Sequence, residues 1–100
     1  MIYSTIGDIE DARRIAHTLI EEKLVACVNI IPNIESVYRW EGKIEEDEEC
    51  IFIAKTSDEN IDKTITRIKS LHSYELPDII VIPIIGGLIE YLDYISNETS

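Results

Sequence analysis

The sequence predicts an α+β domain of the split βαβ type: a four-stranded antiparallel sheet with two long helices on one face, a long central hairpin and an extra C-terminal helix. Three observations carry this. Apolar residues recur at helical spacing in two stretches, around Ile9–Ile20 and Ile61–Leu71. Segments of strand length and composition flank each of them. Glu41-Gly42, a two-residue turn signal, joins two of these segments. With right-handed crossovers the order β-α-β-β-α-β gives the ferredoxin-like arrangement.

Each element has its own signal. "MIYST" is a short strand. Gly7-Asp8 opens the first helix with Asp8 as N-cap, and Ile9, Ala12, Ala16 and Leu19 form its apolar stripe. Leu24–Ile31, "LVACVNII", is an apolar run of strand length, interrupted at Pro32-Asn33 and continued as "IESVYRW". After the turn, "KIEEDEECIFIAK" returns as a second long strand. Ser57 or Asp58 caps the second helix, which buries Ile61, Ile65, Ile68 and Leu71. "IIVIPII" after Pro77 is the last strand, Gly86-Gly87 breaks it, and Leu88, Tyr91, Leu92 and Ile95 mark the final helix.

One hundred residues make one domain, 1–100, with 45% hydrophobic and 29% charged residues. A net charge of −11 argues against nucleic acid as a partner, since phosphate binding needs an excess of Lys and Arg. No apolar run is long enough for a membrane-spanning helix. The start lacks a basic segment followed by an apolar one, and two cysteines, Cys27 and Cys50, are too few for a disulfide scaffold. A cytoplasmic protein with two reduced thiols is expected.

A sheet covered on one face should alternate apolar and polar residues. "LVACVNII" and "IIVIPII" are apolar on both parities, so the second face is expected to be buried against other copies of the chain, in an obligate homo-oligomer. In the hairpin, a turn at Glu41-Gly42 pairs Trp40 with Lys43, Tyr38 with Glu45, Ser36 with Asp47 and Ile34 with Glu49. Alternation then puts Tyr38, Trp40, Glu49, Ile51, Ile53 and Lys55 on one face, with Glu46 and Glu48 on the other; a one-residue bulge would reverse part of this. The acid run Glu45–Glu49 therefore divides between two faces and reads as a solvated strand edge, without the convergent oxygens that calcium or magnesium require.

"LHSYELPDI" is the densest polar cluster. His72 with Glu75 could do acid–base work or, at His72, ligate a metal; the same residues also suit a helix C-terminus followed by a proline turn. Lys55 is either an exposed strand end or a partly buried cation facing Glu49. Trp40 suits half-buried packing or an interface anchor. Nucleophile-elbow, phosphate-loop and zinc-site patterns are absent.

The chain resembles the CutA-like divalent-cation tolerance family. The resemblance runs through "LVACVNIIPNIESVYRWEGKIEEDEE", Lys55-Thr56, "LHSYELPDIIVIPI" and "YLDYI" in order. It implies a ferredoxin-like fold, a homotrimer joined by long hairpins, similarity to the trimeric PII signalling proteins, and no enzymatic activity. It also implies a ligand cleft between subunits lined by Trp40, Glu49, Lys55, Tyr74 and Glu75, with His72 as a metal position for copper or another divalent cation. Copper-linked members carry a Cys before Thr on the first strand and a His-His pair before Pro-Tyr; this chain has Ser4 before Thr5, and Leu71-His72 before Ser73-Tyr74. The functional expectation is metal tolerance through a divalent cation or small ligand held between subunits. The alternative is a PII-like small-molecule or nucleotide sensor in which Lys55 and His72 contact an anion; a third reading is a cleft enzyme using His72 and Glu75.

Overall fold

The computed structural model describes residues 1–100. Its elements are β1 (Ile2–Ile6), α1 (Ile9–Glu21), β2 (Cys27–Trp40), β3 (Lys43–Lys55), a 3-10 turn (Asp58–Asn60), α2 (Ile61–Leu71), β4 (Ile79–Val81) and α3 (Ile89–Glu98). The strands form one sheet in the order β2-β3-β1-β4, and every neighbouring pair is antiparallel. This is the ferredoxin-like arrangement that the element order predicts.

Local chemistry explains the boundaries. Asp8 caps α1, its carboxylate accepting from the Glu10 N–H at 2.8 Å. Glu41 and Gly42 both have positive φ, 49° and 80°, the requirement of a two-residue hairpin turn that matches strand twist. α2 begins differently from the expectation: Asp58–Asn60 form a 3-10 turn, and Asn60 occupies the cap position without a capping side-chain bond. The Asn60 amide instead donates to the Thr99 carbonyl at 2.9 Å, tying the C-terminus to this corner.

The core lies between the sheet and the two long helices. Ile2, Ile6, Phe52 and Ala54 from the sheet meet Ala12, Ile15 and Leu19 of α1 and Ile68 of α2. On β3 the alternation is regular, so Cys50, Phe52 and Ala54 face the helices while Glu49, Ile51, Ile53 and Lys55 face the open side.

The hairpin pairs Trp40 with Lys43, Tyr38 with Glu45, Ser36 with Asp47 and Ile34 with Glu49, as the turn dictates. The register shifts once, between Ile31 and Ile34, where Pro32 and Asn33 oppose Cys50 alone and Asn33 takes φ 61°. This β-bulge absorbs one residue and inverts the parity of β2. Val28 and Ile30 therefore point to the helices, whereas Ile34, Ser36, Tyr38 and Trp40 point to the open face. Beyond the bulge the ribbon leaves the body of the domain, which measures 45 × 25 × 22 Å along its principal axes.

The last strand is shorter than its apolar run. Only Ile79–Val81 pairs within the sheet, extended by reciprocal bonds between Met1 and Ile82, and Ile82–Gly87 has no regular structure. Ile2, the first residue of β1, pairs with Val81, Met1 bonds to Ile82, and Pro83–Ile85 make no ladder bonds. Ile85 is left 99% exposed. On the open face, Ile31 and Ile80 are exposed in the single chain and Ile51 and Ile53 half-buried.

Candidate functional site

The expected site residues lie along the open face, and the structure joins only some of them. Glu49 and Lys55 are both on β3, but six residues of extended strand separate their Cα atoms by about 20 Å. Trp40 pairs with Lys43, another six residues away, at the hairpin tip. One chain thus brings together Glu49, Tyr74 and His72, and leaves Trp40 and Lys55 at opposite ends. Glu75 is exposed and makes no ion pair with any basic residue.

Glu49 is only 6% exposed, and its Oε2 accepts from the Tyr74 hydroxyl at 2.6 Å. No basic side chain of the same chain pairs with it. Tyr74 reaches Glu49 across Gly7, whose close position is steric: a Cβ there would stand 2.7 Å from the Tyr74 Oη. Burial, followed by the hydrogen bond to Glu49, pushes the Tyr74 phenol well above its ordinary pKa, so it remains a neutral donor. A second phenol–carboxylate pair stands next to the first. Tyr38 Oη donates to Asp47, and this bond, chiefly, raises the Tyr38 pKa to about 12.

His72 is buried, 9% exposed, at the end of α2. Its Nε2 donates to the Thr5 carbonyl at 2.9 Å, and its Nδ1 accepts from the Tyr74 N–H at 3.1 Å. These partners fix the Nε2–H tautomer. The Thr5 N–H and hydroxyl in turn donate to Asp78, at 3.2 and 2.8 Å. Thr5 is where β4 has stopped pairing with β1, so His72 and Asp78 satisfy the backbone groups that an added strand residue would otherwise bond.

These contacts test the metal expectation. Both His72 ring nitrogens are already bonded to backbone groups. Ser4, where copper-linked members place a Cys, is 0% exposed and lies on the helix side of β1, opposite Phe52. No three His, Cys, Asp or Glu side chains stand together as a metal site. The residues of one chain do not fit a resident copper ion.

Lys55 does not face Glu49. Its Nζ lies 5.5 Å from the centre of the Tyr91 ring, and Tyr91 stacks on Tyr94 at 5.6 Å with an interplanar angle of 10°. Two concavities of the single chain lie elsewhere: about 170 Å³ beside Ser57, Asp58 and Leu92, and about 380 Å³ between α1 and the β2 edge, beside Arg13, His17 and Val28. They hold no cluster of convergent groups, and we place the site at the Glu49–Tyr74 pair on chemical grounds.

Sequence reasoning missed Gly7, Thr5, Asp78 and Tyr91. Gly7 read only as a helix opener, and Tyr91 only as part of an apolar stripe. The available signal for Gly7 was its place directly after β1, opposite the acid end of the partner strand.

A model of the CutA1 divalent ion tolerance protein family matches residues 1–98. The chain belongs to that family. The rice protein "Protein CutA 1, chloroplastic" is 43% identical over 99% of this chain. The chain spans about half the length of the curated plant relatives it matches, 56% of the rice protein and 54% of the Arabidopsis thaliana protein. Among solved structures, the divalent cation tolerance protein of Thermus thermophilus is 42% identical with a TM-score of 0.96, covering 99% of this chain and 96% of that one. A CutA from Nostoc sp. PCC 7120, described as PII-like, is 37% identical with a TM-score of 0.92, covering 99% and 95%. The two resemblances agree with the ferredoxin-like, PII-related architecture of this chain.

Proposed function

We propose that this chain acts in divalent-cation tolerance as a non-enzymatic homotrimer, holding a divalent cation or a small cationic ligand where the open sheet faces of its copies meet. The observation that carries the reading is Glu49: a buried carboxylate on the open face, bonded to a neutral phenol and lacking a basic partner in its own chain. A carboxylate removed from water is costly unless countercharge is supplied. A neighbouring copy or a bound cation supplies it. The trimer rests on the exposed Ile31, Ile80 and Ile85 and on the hairpin beyond the bulge, which extends past its own core. Cys27 and Cys50 carry free thiols, which supports a reducing, cytoplasmic setting.

A second reading is a PII-like small-molecule sensor. The half-buried Lys55, with its ammonium over Tyr91 and no carboxylate partner, favours an anion at that end. Thermal-shift titration separates the two. Divalent cations should raise Tm, and Glu49→Gln should remove the rise; phosphate-bearing metabolites acting through Lys55 should raise it in a way that Lys55→Ala removes. Absence of any Glu49-dependent shift across the cation series overturns the first reading. Sedimentation as a monomer overturns the shared-site geometry of both.

A further inference from the structure

Tyr74 holds two groups at once. Its N–H donates to His72 Nδ1 at 3.1 Å, and its phenol donates to Glu49 Oε2 at 2.6 Å. The ring between them tilts against the His72 imidazole with 4.7 Å between centroids. On either side, the chain is pinned to one residue of β1. His72 Nε2 donates to the Thr5 carbonyl, and Asp78 accepts from the Thr5 N–H and hydroxyl. Between these pins, residues 73–77 have no regular secondary structure, and Ser73, Tyr74, Glu75 and Leu76 are exposed. Within that span, the Tyr74 phenol is the sole side-chain hydrogen bond to the sheet.

We infer that residues 73–77 form a flap, hinged at His72 and Asp78 and fastened by Tyr74, which closes over the Glu49 carboxylate and opens to admit a ligand. Glu49 is 6% exposed while the loop above it is largely in water, as a cover over a buried group requires. Opening uncovers two groups together, the Glu49 carboxylate and the Nδ1 lone pair of His72. Both are acceptors, so the flap guards a position for a cation and not for an anion. Gly7 is the seat of the fastener, since any side chain there displaces the Tyr74 hydroxyl. A phenol cannot be traded for a benzyl group at this position without freeing the loop. The ligand step rests on the proposed role of Glu49; the closure does not.

Carbodiimide labelling with an amine nucleophile, read residue by residue by mass spectrometry, tests the closure on the intact protein, with exposed Glu75 as internal reference. Glu49 should label slowly in the wild type. In Tyr74→Phe its rate should rise about tenfold or more, the factor that loss of one charge-assisted hydrogen bond implies, with Glu75 unchanged. Gly7→Ala should act in the same direction. Equal Glu49 rates in wild type and both variants overturn the flap. Should the variants not fold, amide exchange of the wild type decides: the Tyr74 amide should be protected above those of Ser73 and Glu75, and equal rates overturn the closure. Zn²⁺ alone is the ligand probe. With the fastener removed, Tyr74→Phe should bind Zn²⁺ more tightly than the wild type, and Glu49→Gln should not bind it. Faster labelling without that pattern leaves the flap standing and overturns the cation role of Glu49; unchanged labelling with Zn²⁺ binding that needs Glu49 does the reverse.

Discussion

β3 carries one charged residue at each end of its buried half, Glu49 and Lys55, on the same face, and a tyrosine attends each. At Glu49 the phenol is used: Tyr74 gives its O–H to the carboxylate and covers it. At Lys55 the ring is used: Tyr91 offers its face to the ammonium, which stays half-buried. A hydrogen bond to a charged group contributes about 1.5–3 kcal/mol, and a partly exposed cation–π contact about 0.5–1 kcal/mol. The two ends also differ in access. An anion can approach Lys55 as it stands, whereas a cation reaches Glu49 only after Tyr74 moves. The same strand thus presents a sealed negative end and an open positive end.

The strongest way to break this contrast is at Gly7. In Gly7→Ala the new Cβ would stand 2.7 Å from the Tyr74 hydroxyl. Gly7 has no positive φ, so the cost is steric and not conformational. The expected loss is about 2–3 kcal/mol, from a hydrogen bond to a charged acceptor plus local strain. Urea denaturation at fixed protein concentration should report it as a lower midpoint with unchanged slope. Tyr74→Phe comes next, at about 1.5–2 kcal/mol, because it leaves the buried Glu49 without its donor. Adding Glu49→Gln to Tyr74→Phe should cost less than the sum of the two single changes, since the pair acts as a unit. Strict additivity would separate the two residues and remove the basis for the sealed end.

Much of this contrast was legible in the chain. Period-2 alternation from Glu49 to Lys55 put both charges on one face, and Glu41-Gly42 fixed the pairing of Trp40 with Lys43 through Ile34 with Glu49. The bulge at Pro32-Asn33 falls on the body side of these pairs, so it left them untouched while inverting β2 below them. The attendants were not legible. Tyr74 lies 25 residues from Glu49 in sequence and His72 lies 67 from Thr5. No local period encodes where a loop lands across such spans. Of the two alternatives for Lys55, the one in which it faces Glu49 failed for a related reason: shared parity says which face, and strand rise then sets the residues about 20 Å apart. β4 was overestimated because an apolar run reads the same whether or not it pairs with a neighbouring strand: only Ile79–Val81 do.

Alkaline pH tests the phenols. Both Tyr74 and Tyr38 have folded-state pKa values above the ordinary tyrosine value of about 10. A raised pKa means that the unfolded chain loses its phenolic proton first. The stabilisation is complete below about pH 10 and is lost as pH rises toward the folded-state values. Tyrosinate absorbance of the folded protein should show Tyr38 titrating near pH 12, and denaturation midpoints should fall as pH rises from about 10 toward that value, by the sign of this linkage. In Tyr74→Phe the fall should be shallower. A slope unaffected by that substitution would mean that the Tyr74 phenol sits no less comfortably ionised in the fold than in the open chain.

The smallest effect belongs to the open end. Tyr91→Leu keeps an apolar side chain on α3 but removes the ring beneath the Lys55 ammonium and the stack with Tyr94. The expected loss is about 0.5–1 kcal/mol, near the resolution of a denaturation midpoint, so a double-mutant cycle with Lys55→Ala is the suitable measurement. A coupling of about 0.5 kcal/mol that persists in 1 M salt would mark a cation–π contact, since at that ionic strength exposed charges are screened within about 3 Å. A coupling that salt abolishes would instead assign Lys55 to the general field of an acidic surface, and the ammonium would be less fixed than the carboxylate at the far end of its strand.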